Sequence, residues 1–428
     1  MLTNTLRMLS LLLLISISNR VKAQDEILIT GQVIDSLSTQ PIDFVTVTSS
    51  DNLSGTVSSE EGRFQLRVRT DGVIRFSLMG YRQRDVSVLE LKGDARILLQ
   101  PIAIDLAEVN ISPKPPEYFL RLAMRDLPGN YPASPFNTRS YYREIIRENG
   151  SFLRAHEGVF KSHFPNFQDT VRNQHQLLLF RQAETLSDLA FMKKERLKEE
   201  AKEKRKEEKA VRKGKAKPTS RKSDDDSLQV GELFGGPENL LRLADLFREE
   251  ESVLDTNSFK SYTFSYAPTT VARDPGLMVI DFASRGKVDR VRSKGRIFLD
   301  LTSNAIVRVE SNGEFVVPAL LRPVLLVLGI GVRNPTFTST IVFRSVSSRW
   351  YPSSMQFRLD TRLERKRLFA ENDISRFVID GVLSVNRIDI SDAAPIPKEK
   401  RFSGSKRPEP QVKNDEGLSW DQVNVVPR

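Results

Sequence analysis

Cysteine is absent from all 428 residues. That excludes disulfide staples, a thiol nucleophile, thiolate metal ligands and a lipidated cysteine behind an export signal. Histidine is nearly absent: His156, His163 and His175 are the only three, and none stands in an H-x-x-E or H-E-x-x-H arrangement. Zinc chemistry needs ligands at fixed spacing with a position open for water, so no metal or other cofactor is expected. His156 and His163 are an odd number of positions apart, which points them to opposite faces of a strand. There is no G-x-S-x-G elbow, and Gly214-Lys215 lacks the upstream glycine and the following Ser or Thr of a phosphate loop. No catalytic residue is assigned, and the chain is expected not to be an enzyme.

Membrane-length apolar helices are also lacking. The run Met8 to Ser18 is only about eleven residues, against the ~20 that span a bilayer. With Arg7 before it and Val21-Lys22-Ala23 after it, residues 1–23 read as a secretory signal. The expected location is therefore the periplasm, or the periplasmic face of an outer membrane. The net charge of +10 invites a nucleic-acid reading, but its distribution argues otherwise. Residues 192–228 hold 15 Lys and Arg against 9 acidic residues, and the signal holds three more basic ones. The remaining chain is almost neutral. No aromatic residue interrupts 193–228, so the stacking platforms of single-strand binding are missing and no nucleic-acid partner is expected.

What is present first is a strand-rich stretch over 24–111. Val33, Phe44, Val45 and Val47 read as strand residues around a Thr39-Gln40-Pro41 turn, and Gly62 turns the chain into the alternating run Phe64, Leu66, Val68. Ile74, Phe76 and Leu78 follow and end at Gly80-Tyr81, giving about seven short strands at roughly ten-residue spacing. Gly31, Asp35, Pro41, Gly55-Thr56, Gly62, Phe64, Phe76-Ser77, Gly80-Tyr81 and Glu108-Val109 fall in an order that resembles the carboxypeptidase-regulatory-like domain. Met79 departs from it, standing where the family usually has a small or polar residue. The resemblance implies an immunoglobulin-like or transthyretin-like sandwich. It also implies a module that is not normally a catalyst and that fronts many Gram-negative envelope proteins, outer-membrane nutrient transporters among them.

Ser112-Pro113-Lys114-Pro115-Pro116 makes residues 112–117 a stiff linker. A second domain is expected over 118–390, with a charged insertion at 192–228 and a disordered tail at 391–428, rich in Pro, Lys, Glu and Asp. Tyr118 to Leu127 has helical spacing stopped by Pro128-Gly129, and Asn149-Gly150 marks a hairpin. Gln174 to Met192 and Pro237 to Phe247 are predicted helices. From Ser258 onward seven runs read as strands, so the fold class is mainly β. An N-terminal antiparallel β-sandwich precedes an α+β domain, a curved antiparallel sheet covered by helices. Residues 294–310, with Trp350-Tyr351-Pro352, resemble the half-barrel of periplasmic lipoprotein carriers. Tyr141-Tyr142-Arg143-Glu144 behind such a sandwich is similar to a family of uncharacterised envelope proteins of the same bacteria.

Two stretches leave alternatives open. The insertion 192–228 fits a solvated surface loop, and it also fits a basic arm against anionic headgroups, a peripheral membrane contact. The run Phe315 to Val332 fits a buried closing segment or an apolar lid over a lipid cavity, with Leu320, Leu321, Leu325, Leu326 and Leu328 as the lid candidates. The functional expectation is an exported, non-enzymatic envelope protein that binds or scaffolds, with a lipid or an outer-membrane protein as partner. The alternative is an accessory docking subunit of an outer-membrane transporter or secretion system.

Overall fold

The computed structural model describes residues 26–78, 80–91, 93–102, 114–166, 172–184, 236–243, 246–248, 252–267, 276–285, 291–316, 330–332, 335–365, 373–391, 393–404 and 406–427. The signal 1–23, the insertion 192–228 and the lid candidates Leu320, Leu321, Leu325, Leu326 and Leu328 lie outside them.

Seven strands form the N-terminal sandwich: β1 (Glu26–Asp35), β2 (Thr46–Ser49), β3 (Gly55–Val57), β4 (Arg63–Arg69), β5 (Val73–Ser77), β6 (Arg84–Ser87) and β7 (Asp94–Leu99). They make two sheets, ordered β4-β1-β7 and β3-β2-β5-β6. The alternating residues Phe64, Leu66, Ile74 and Phe76 point inward and are fully buried between the sheets. One pairing departs from the antiparallel expectation, because β1 and β7 run parallel. Gly31 lies on that seam, and a Cβ there would sit 2.2 Å from the Ala95 carbonyl oxygen and 2.8 Å from the Phe64 ring. Gly31→Ala is therefore expected to cost about 1–3 kcal/mol by prising β1 from β7, read as a lower urea midpoint for the full chain. An unchanged midpoint would show that the seam spreads without strain.

The second domain begins with α1 (Pro116–Arg125) and α2 (Leu127–Asn130). Pro128 does not stop the first helix as predicted. It lies in the first turn of the second helix, where a missing backbone donor costs nothing. Then come β8 (Phe136–Glu148), β9 (Ser151–Phe164) and β10 (Gln174–Glu184), followed by α3 (Pro237–Leu243). The remaining strands are β11 (Tyr262–Tyr266), β12 (Leu277–Ser284), β13 (Val291–Asp300), β14 (Ile306–Phe315), β15 (Ile330–Val332), β16 (Thr336–Val346), β17 (Arg349–Arg365) and β18 (Asp373–Asp389). Ten of them lie side by side in one open curved sheet, ordered β10-β9-β8-β18-β17-β16-β14-β13-β12-β11, with β15 against the end of β17.

Each face of this sheet has its own cover. On one, Tyr142, Phe160, Met355 and Leu383 meet Leu240 and Leu241 of α3, while Ile280, Ile297 and Val309 meet Leu120 and Ala123 of α1. The Asn149-Gly150 hairpin turn has both residues at positive φ, 52° and 85°, as a two-residue loop between twisted strands requires. The predicted helix at Gln174 is instead β10. Its Leu177 enters the aromatic core on one face and its Leu178 packs into a different cluster on the other. A strand buried on both sides has no polar alternation, so its continuous apolar run reads like a helix.

The second correction concerns residues 391–428, expected to be disordered. Described residues of this tail run along the edge of β10, where Phe402 donates to the His175 carbonyl at 2.7 Å and Lys413 to that of Leu177 at 2.8 Å. Beyond that edge, Leu418, Val423 and Val426 bury themselves with Tyr141, Val159, Leu178 and Val57. The composition is polar, but these spaced aliphatic anchors and the unpaired edge of β10 give the chain something to hold.

Candidate binding cleft

The face of the sheet away from the helices carries the sandwich, and the joint is stitched at one end. Leu53 accepts from the Ile388 backbone at 2.9 Å, Asn52 donates to the Ser345 carbonyl at 2.8 Å, and Asn386 donates both to Gly55 and to Asn424 of the tail. The fully buried Arg344 guanidinium donates to the carbonyls of Val385 and Leu53, one in each domain, and burial pushes its pKa down to about 9. The tail closes the stitch, since the Asn424 side chain accepts from the Arg67 backbone of β4 at 2.8 Å.

Away from the stitch the domains part around a cleft of about 620 Å³. Strand alternation builds its floor. In Tyr141-Tyr142-Arg143-Glu144-Ile145-Ile146-Arg147, Tyr142, Glu144 and Ile146 turn to the helix-covered face, which leaves Arg143 and Arg147 on the cleft side. Asp380 of β18 lies directly opposite Arg358 of β17 and accepts from it at 2.9 Å, while Arg147 reaches it diagonally at 2.8 Å. Burial nevertheless holds the Asp380 pKa above the ordinary carboxylate value, and Glu60 across the cleft adds to the effect. Arg143 donates to the carbonyls of Val426 and Pro427 in the tail.

The opposite wall comes from two sandwich turns. One places Asp43 beside Phe44, whose φ is 56°; the other is Glu60-Glu61 before Gly62, whose φ is 72°. A Cβ at position 62 would meet the Val33 carbonyl at 2.4 Å, so this glycine fixes the bend that carries Glu60. Burial, then the neighbouring Glu60, raises the Asp43 pKa.

The turns of this wall and the strands behind it carry a sequence signature. Residues 29–111 match the CarboxypepD_reg-like domain. Two of the residues that make the domain legible, Pro41 and Gly62, stand beside the acidic turns of this wall, Asp43 and Glu60-Glu61. No curated protein matches the chain. A crystal structure of a Bacteroides fragilis protein, described as membrane-associated and of unknown function, aligns with 11% identity over 85% of this chain and 98% of that one. Its TM-score is 0.14, so the likeness carries no argument about fold or role.

The three histidines are held apart. His163 bonds Asn137 at 2.9 Å, His175 bonds Ser162 at 2.8 Å, and His156 lies on the helix-covered face, 3.8 Å from Glu144. Among the described residues no three His, Asp or Glu side chains are grouped to hold a metal ion. Glu144 is a residue that motif reading passed over. It is fully buried, accepts from the Gly236 backbone at 2.6 Å at the mouth of α3, and faces the Tyr142 hydroxyl. Burial pushes its pKa up to about 7, against the opposing pull of Gly236, Tyr142 and Arg154. The signal for it was the alternation itself, which places an acid on the core side of β8.

Proposed function

We propose that this chain is an exported, non-enzymatic envelope protein that binds a polar ligand between its regulatory-like domain and its half-barrel, at the periplasmic face of the outer membrane. The observation that carries the reading is the cleft: ligand sites favour domain junctions, and this one has a volume in the usual range with several charged groups converging on it. Export rests on the signal-like residues 1–23. Binding without catalysis fits the way the floor is wired, because both carboxylate oxygens of Asp380 already accept from arginines, Oδ2 from Arg147 and Oδ1 from Arg358.

Thr340 lies in the cleft on β16, and a tryptophan there fills the space without touching the stitched end. Native mass spectrometry of the full chain purified from the envelope is expected to show a small-molecule adduct on the wild type and none on Thr340→Trp at unchanged melting temperature. An adduct that survives the substitution would place binding elsewhere, and recovery of the protein only from the cytosol would refute the export reading.

A further inference from the structure

Charge is divided between the two walls of the cleft. The floor carries Arg143, Arg147 and Arg358 against the single carboxylate of Asp380, whereas the sandwich wall presents Asp43, Glu60 and Glu61. Among the described residues no ion pair crosses from one wall to the other: Arg147 and Arg358 pair with Asp380, and Glu61 pairs with Arg63 of its own domain at 3.8 Å. Opposite charges facing each other across a gap, unpaired with one another, leave room for a bipolar guest.

The hydrogen bonding sharpens this. Among the described residues each floor arginine commits only its Nη1: in Arg143 to the tail carbonyls, in Arg147 and Arg358 to Asp380. A guanidinium has five N–H donors in a planar fork, so the Nε and Nη2 edge of each is left for a planar two-oxygen acceptor. On the facing wall, Glu60 and Asp43 are both exposed, and among the described residues neither carboxylate is bonded to a cation. Arg308, whose charge acts on Asp43, is itself paired with Glu310 at 2.6 Å. A simple anion would meet repulsion from Asp43 and Glu60, and a simple cation would meet it from three arginines.

We infer that the ligand of the cleft is zwitterionic, an amino acid or short peptide whose carboxylate lies on the free arginine edges of the floor and whose ammonium group lies against Glu60 and Asp43. The inference rests on the reading of the cleft as the ligand site, and the experiment separates the two. Titration calorimetry of the full chain is run with alanyl-alanine, its N-acetyl form, its C-terminal amide and a neutral oligosaccharide.

Alanyl-alanine is expected to bind, with each blocked form at least tenfold weaker. Glu60→Gln is expected to weaken the free dipeptide severalfold and leave the N-acetyl form unchanged, a crossed pattern that a merely structural effect of the substitution does not produce. Thr340→Trp is expected to abolish binding. Equal affinity for blocked and free dipeptides, or no heat from the dipeptide at millimolar concentration, overturns the zwitterion inference. Oligosaccharide binding that Thr340→Trp removes would leave the cleft standing with a different ligand class. Dipeptide binding that survives Thr340→Trp overturns the cleft itself.

Discussion

Deleting residues 391–428 is expected to lower the melting temperature of the full chain by roughly 10 °C or more and to free the sandwich from the sheet. The segment buries Ile396, Leu418, Val423 and Val426, and aliphatic side chains of this kind contribute about 1.5–3 kcal/mol each as an upper bound. Its loss also strips the edge of β10 of the donors of Phe402 and Lys413, and removes the Asn424 acceptor from Arg67. The Arg181 guanidinium, 4.2 Å from the Trp420 ring centroid, loses that platform as well. Differential scanning calorimetry checks the first part, and limited proteolysis between the domains checks the second. A truncated chain that melts as one unit at the wild-type temperature would show that the strap contributes nothing.

Glu144→Gln is expected to stabilise the protein above pH 7 by up to about 3 kcal/mol and to leave it little changed below pH 4.5. The carboxyl titrates at about 7 when folded, above the ordinary carboxylate value, so the native state binds a proton that the unfolded chain has released. Its effect on stability is therefore a loss as pH rises from about 4.5 to 7, constant beyond. His156 and His175, both pushed down to about 4 by burial, act oppositely. Neutral in the fold and protonated when unfolded, they cost stability as pH falls from 6.5 toward 4. Between those values two histidines outweigh one glutamate, and wild-type stability rises with pH. Without the Glu144 proton that rise is expected to steepen by about one proton in urea midpoints taken from pH 4 to 8. Parallel wild-type and variant profiles would place Glu144 in a wetter site than the structure shows.

The sandwich and the strands after Ser258 were legible because each is local. Turns need Gly, Pro, Asn or Asp at particular places, and half-buried strands alternate, so Gly31, Gly62 and the run Phe64, Leu66, Val68 announce themselves. The strand β10 was not legible, since burial on both faces erased its period. The tail misled for the converse reason: Ile396, Leu418, Val423 and Val426 are too sparse to register in composition, and what orders them is an edge belonging to another part of the chain. The cleft was out of reach for the same cause. Arg143 and Glu60 come from different domains, and no spacing rule links them. A trace remained in β8, where arginines recur on the face opposite Tyr142 and Ile146.

The order of strands in the large sheet bears on how the molecule is made. The meander from β8 to β10 and the one from β11 to β17 are each built from neighbours in sequence, yet they meet only where β18 slides between β17 and β8. The Ser375–Glu148 hydrogen bond on that seam joins residues 227 apart. Contacts so distant must overcome loop-closure entropy before they return any burial, and the last strand is the one that closes the seam. Until β18 pairs with it, β8 has an unsatisfied edge, a template for any passing strand. Closing that seam is therefore the step in which this sheet is most exposed to wrong pairing.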